Sequence, residues 1–292
     1  MHSGRLRHVS YNPCAVSGLS MTFLSLLFAL LAQHVVPPPA SPRLESLAGR
    51  LCLWLARRMD AGDAASGRLA LAVLLVAACL PIALVAWLAA AIHPVASVLL
   101  DAVVLYGSLR FLETAAGPRP RQPVSTAIER ALREAHHGTF ALLFWFVALG
   151  AVGVVLHVAL RRAAELWSLR EAGELRPFGD AAALMFHLVD WLPQRASALG
   201  FAVVGNFEDA VYCWRGQAPM RAHDNDAVVL ASGAGALGVL LAAEASGDAG
   251  EAMAPGLGEP PGEEALASLE GLLWRALVLW GIVIAVLTAI VA

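Results

Sequence analysis

The polar residues best placed to do chemistry sit within one apolar stretch. His187, Asp190, Gln194 and Ser197 stand at i, i+3, i+7 and i+10, which puts them on one face of a helix otherwise built of Leu, Phe, Val and Trp. Ionisable groups in lipid-like surroundings are costly and normally face a cavity or a partner. The stripe therefore fits a polar, substrate-facing pocket, or a helix lying at the membrane surface with the stripe toward water. Just downstream, Gly205 offers a break, after which Asn206, Glu208 and Asp209 could turn back toward the same place. Two adjacent carboxylates can hold a metal or share a proton, and they serve equally as a solvated loop. No histidine stands at a matching spacing, so no metal is assigned.

Other polar residues read less sharply. Asp101 is the one acid in the apolar run 95–109, and an acid at membrane depth points to function by default. Gly150, Gly153 and His157 share a face, with Arg161 one turn on; the glycines read as tight packing and His157 as a satisfied buried histidine. The tandem His136-His137 reads as interface contact, because neighbours on a helix point about 100° apart. Gly233, Gly235 and Gly238 spell G-x-G-x-x-G. That motif needs a strand before it and a βαβ unit around it, so close helix packing in a bundle explains the letters better.

Composition narrows the field further. The chain is 59% hydrophobic and 15% charged, against about 45–50% and 25% in soluble domains, so the surplus apolar surface needs lipid. All 20 basic residues are Arg, which excludes a Walker-A lysine, a Schiff-base lysine and a lysine general base. A net charge of -3 without a basic stripe sets nucleic acid aside. The cysteines at 14, 52, 79 and 213 show no C-x-x-C spacing.

The elements that must position these residues are membrane helices, giving an all-α, polytopic transmembrane bundle of about 4–6 spans. Residues 69–92 form the longest uncharged run, tolerating Pro81. Spans are also expected at 21–36, 139–160 and 272–292, and residues 43–60 read as an amphipathic surface helix. The segments 95–109, 178–204 and 227–243 are imperfect, and 178–204 reads as broken or re-entrant. The chain divides into a flexible tail or over-long start at 1–20, a helical membrane domain at 21–246, an acidic Gly/Pro loop at 247–265 and a C-terminal membrane helix at 266–292. Arginines flank the span at 139–160 almost evenly on its two sides, so orientation cannot be read.

Three blocks carry a family resemblance: Leu143-Phe144-Trp145-Phe146 with Gly150 and Gly153; Val189-Asp190-Trp191-Leu192-Pro193 with Arg195, Ala198 and Leu199; and Gly233 with Gly235-Ala236-Leu237-Gly238-Val239. They resemble the CobD/CbiB membrane proteins of cobalamin biosynthesis and their AmpE-like relatives, from near Met21 onward and most strongly over 139–240. The resemblance implies an inner-membrane, ATP- and magnesium-dependent amide synthase that joins aminopropanol or its phosphate to cobyric acid, a corrinoid. The polar stripe around Asp190 would then face that site, with Asp190, Glu208 and Asp209 as the candidate catalytic residues and His187, Gln194, Arg195 and Asn206 as candidate substrate contacts. The family's early Gly-Asp-Pro and His-Pro-Val block is missing after the first helix, and Arg133-Glu134-Ala135-His136-His137 replaces its acidic, asparagine-rich block. These departures point toward the AmpE-like branch, which implies a non-catalytic membrane sensor linked to cell-wall stress.

Overall fold

The computed structural model describes residues 25–29, 31, 43–109, 111, 122–168, 177–221, 226–241 and 254–291. The expected tail, most of the first span and residues 247–253 of the acidic segment lie outside these. Nine α-helices are named among the described residues: α1 Arg43–Met59, α2 Ala64–Ile92, α3 Pro94–Tyr106, α4 Val124–Ala135, α5 Ala141–Trp167, α6 Pro177–Val204, α7 Phe207–Gln217, α8 Ala227–Leu237 and α9 Glu264–Val291. A π-helical turn, His136–Phe140, joins α4 to α5. The all-α bundle is as expected: the described residues hold isolated bridges at 239–240 with 256 and 259 rather than a sheet.

Three stretches are long and apolar enough to cross a membrane: Ala64–Ile92, Val124–Trp167 and Glu264–Ile290. They differ in what they touch. Only 17% of the most apolar window in the first and 28% in the third is buried within the protein, against 56% in the second. The outer two turn Leu80, Leu84 and Leu88, and Val278, Ile282, Val286 and Ile290, outward at the i, i+4 spacing of a lipid-facing stripe. The middle one is core.

That middle stretch is folded back on itself. Gly150 stands at φ 63, ψ -149, inside what is otherwise α5, a conformation that a Cβ all but forbids. Residues 141–149 and 151–167 therefore form two arms. Gly153 sits so close to the first arm that a side chain there would run into the Trp145 carbonyl. The second arm begins under a cap from another helix, since Ala151 N donates to Asp101 Oδ1 at 3.3 Å. The acid inside the apolar run thus has a structural partner, and α3, a helix of 13 residues, brings it there.

The helix expected to be broken is instead continuous. α6 runs 28 residues from Pro177 to Val204 with Pro193 inside it; the proline removes one ladder donor, and packing against its neighbours holds the rest. The chain breaks one residue later, at Gly205, where Asn206 N bonds to Ala236 O at 3.0 Å. The small residues of α8 allow close approach, as expected. A side chain at Gly233 would strike Leu132, and one at Gly235 the Asp209 carbonyl, while Gly238 closes the helix at φ 67. The described part of the acidic segment is tied to α7: Gln217 exchanges two hydrogen bonds with the Gly256 backbone, at 2.7 and 2.8 Å.

Candidate functional site

Three elements converge on Asp190. The π-helical turn supplies His136 and His137, the second arm of α5 supplies His157, and α6 supplies Asp190, Gln194 and Ser197. The fold-back at Gly150 is what lets two arms of one stretch contribute. The π turn does the rest: successive residues that an α-helix would splay apart instead hold their rings 4.6 Å apart, centroid to centroid.

His136 lies between two partners, with Nδ1 2.9 Å from Ser197 Oγ and Nε2 3.1 Å from Asp190 Oδ2. Gln194 Nε2 donates to the same Oδ2 at 2.9 Å. His137 Nε2 meets Asp226 Oδ1 at 2.8 Å, which leaves Nδ1 facing Asp190 at 3.9 Å. His157 Nδ1 also stands 3.9 Å from Asp190, on Oδ1. Asp190, His136 and His157 are fully buried, and Gln194 and Ser197 nearly so. Asp226, just before α8, takes a second contact from Arg133 NH1 at 3.1 Å. Burial opposes charge on Asp226, but His137, which also bonds to it, and Arg133 outweigh burial and hold the carboxyl below the usual carboxylate range.

Of the stripe read from the sequence, Asp190, Gln194 and Ser197 form the centre of this site, while His187 lies on the exposed side of α6. Arg195 turns away, bonding its own Trp191 carbonyl and stacking 3.8 Å over the Trp191 ring. Asn206, Glu208 and Asp209 form a separate group at the start of α7. Asn206 caps the helix by accepting from Asp209 N and donates to Asp209 Oδ2 at 2.6 Å. Glu208 lines an open groove with Phe207, Tyr212 and Arg215. Among the described residues, no hydrogen bond or ion pair joins this group to Asp190.

Two sequence expectations need correction. The tandem histidines are buried, not interfacial, because the π turn aims both inward. His157 is buried but unsatisfied: neither ring nitrogen has a hydrogen-bond partner. Asp226 escaped the sequence reading because nothing periodic marks an acid in the polar run ahead of α8.

The family described as CobD/Cbib protein matches residues 119–289, a range that holds the whole cluster. The chain is 35% identical over 160 residues to a Stutzerimonas stutzeri (strain A1501) protein named cobalamin biosynthesis protein CobD, covering 54% of this chain and 52% of that one. A Chromobacterium violaceum protein of the same name is 36% identical over 155 residues, covering 52% and 49%. The chain thus spans about half the length of the curated relatives it matches. No solved structure matches it.

Proposed function

The chain belongs to the CobD/CbiB family, and from that premise we propose that it serves cobalamin biosynthesis as a multi-pass inner-membrane protein. The step is the joining of aminopropanol or its phosphate to a propionate carboxyl of cobyric acid. The observation that carries this reading is Asp190, which lies within the range that the family matches and stands at the centre of a buried polar cluster. In net terms the amine nitrogen bonds to the carboxyl carbon and one carboxyl oxygen leaves as water, carrying away protons given up by the nitrogen. Such chemistry asks for a polar site screened from water with groups able to hold charge and accept a proton. The cluster offers carboxylate and imidazole inside an apolar shell.

ATP and magnesium, which the family activity implies, do not fit this cluster. Magnesium asks for an octahedral shell of oxygens, whereas these residues offer mainly imidazole nitrogens. The glycine-rich letters are absorbed in packing on Leu132 and α7. No step is therefore derived through a nucleotide.

The test is a deletion strain fed cobyric acid. Plasmid-borne wild type is expected to restore cobinamide formation, and Asp190→Asn to fail while still reaching the membrane fraction. Failure of the wild type to restore it overturns the reading. One observation favours a second reading, an AmpE-like regulator without chemistry: Asp190, His136 and His157 are wholly enclosed, as a structural knot would be. Altered β-lactamase induction in the deletion strain, with cobinamide synthesis intact, selects that reading.

A further inference from the structure

The ring nitrogens of the cluster are not arranged at random. His136 Nδ1 lies against Ser197 Oγ, which leaves Nε2 as the atom facing Asp190, and His137 Nε2 lies against Asp226, which leaves Nδ1 facing the same carboxylate. His157 presents a third nitrogen to it. Three imidazoles thus converge on one carboxylate, each of the first two held from behind by an oxygen. Outer oxygens of this kind fix the orientation and tautomer of metal-ligating histidines. Asp226 is itself held by Arg133.

What remains unpaired points the same way. His157 is entirely buried with neither ring nitrogen hydrogen-bonded among the described residues, and the same holds of the buried His137 Nδ1. Orphaned polar atoms at such depth are rare, and an ion is one of the explanations they call for. One donor atom from each of His136, His137 and Asp190 lies within 4.8 Å of the others, and His157, outside that group of three, brings its Nδ1 to 3.9 Å from Asp190. Tetrahedral zinc, with bonds of about 2.0–2.2 Å, sets its donors about 3.4 Å apart, so small side-chain rotations close the gap.

We propose that His136, His137, His157 and Asp190 form a binding site for a divalent transition-metal cation of the zinc class. The donor set selects the class: imidazole with one carboxylate suits zinc and its neighbours, oxygen-only shells suit magnesium and calcium, and thiolates suit copper(I). Cys52, Cys79 and Cys213 lie outside the cluster. Asp190 offsets one of the cation's two charges, and Asp226, shared with Arg133, lies behind His137. The inference concerns what occupies the cluster, and it stands whether or not the amide-forming reading does.

The experiment uses the full chain, purified in detergent with a tag free of histidine. After stripping with chelator and titration with zinc chloride, elemental analysis is expected to find about one zinc per chain. Cobalt(II) in its place is expected to give the intense visible bands of a tetrahedral site. Asp190→Asn and His157→Gln should abolish binding, Asp226→Asn should weaken it about 10–100-fold by loosening His137, and His187→Gln should leave it unchanged. Zinc content below a tenth of an equivalent, or equal binding by wild type and Asp190→Asn, overturns the proposal. Should the variants not survive purification, X-ray absorption at the zinc edge of the wild type decides: a shell of imidazoles plus one carboxylate oxygen supports the site, and a thiolate or all-oxygen shell overturns it.

Discussion

His137 and His157 stack with their ring centroids 6.1 Å apart, although on one unbroken helix their positions would lie about 30 Å apart. The reversal at Gly150 closes that distance. A stretch with the composition of a membrane span is spent on building a buried polar centre, and this is why its most apolar window is over half covered by protein while those of α2 and α9 are not.

The reversal can be tested directly. Gly150→Ala places a Cβ at φ 63, ψ -149, and is expected to destabilise the protein by about 1–3 kcal/mol. Gly153→Val, which would collide with the Trp145 carbonyl, should do at least as much. Gly216→Ala, exposed on α7 with nothing within 4 Å of its Cβ, should be neutral or slightly stabilising. Thermal unfolding in detergent ranks the three, and equal midpoints for Gly150→Ala and Gly216→Ala count against the fold-back.

Asp101 acts as a cap, which calls for an acceptor oxygen rather than a charge. Asp101→Asn keeps an oxygen for Ala151 N and should lie within about 0.5 kcal/mol of wild type. Asp101→Ala should lose about 1 kcal/mol. If the Asn variant unfolds as readily as the Ala variant in the same melts, the charge matters and the cap account fails.

At the start of α2, Asp63 caps through Ser66 N at 3.1 Å, and the hydrogen bonds from Ser66 hold its carboxyl below the usual range. A depressed carboxyl contributes stability above its unfolded value, about pH 3.9, and loses it as pH falls through the lower folded value. Wild type should therefore lose this contribution below about pH 4, and Asp63→Asn, which does not titrate, should show a flatter acid limb. The slopes of unfolding midpoint against pH between neutrality and pH 3 make the comparison; identical slopes reject it.

Much of this was legible in the chain. Periodicity found the stripe of Asp190, Gln194 and Ser197, and composition found the lipid-facing helices, because both depend on local spacing. What stayed hidden depends on backbone exceptions. Nothing in His136-His137 announces a π turn, and Gly150 with Gly153 reads as well for packing as for reversal. Without those two features, His157 cannot be placed beside Asp190. Asp226 is found only through its tertiary contact with His137.

The central carboxylate holds the site together, so its removal should be the most damaging single change. Asp190→Ala strands His136 and Gln194 without their acceptor, at fully buried positions, and is expected to cost about 3–5 kcal/mol. Asp190→Asn keeps one acceptor oxygen and should cost less. Denaturant titration followed by tryptophan fluorescence measures both, and a loss under about 1 kcal/mol for the Ala variant would show that water replaces the carboxylate and the cluster is not sealed.

His157 gives the clearest separation between a metal site and an idle histidine. Its two unpartnered nitrogens burden the metal-free protein, and His157→Leu exchanges them for apolar atoms of similar bulk. In chelator-treated samples the variant should be more stable than wild type, by about 1–2 kcal/mol. With zinc at a hundredfold excess over its dissociation constant, wild type alone should gain about 2.7 kcal/mol. The order of the two melting curves should then reverse between chelator and zinc. A variant that stays ahead under both conditions shows that His157 binds no cation; one that falls behind under both shows that the buried ring is satisfied in a way the unpaired nitrogens do not suggest.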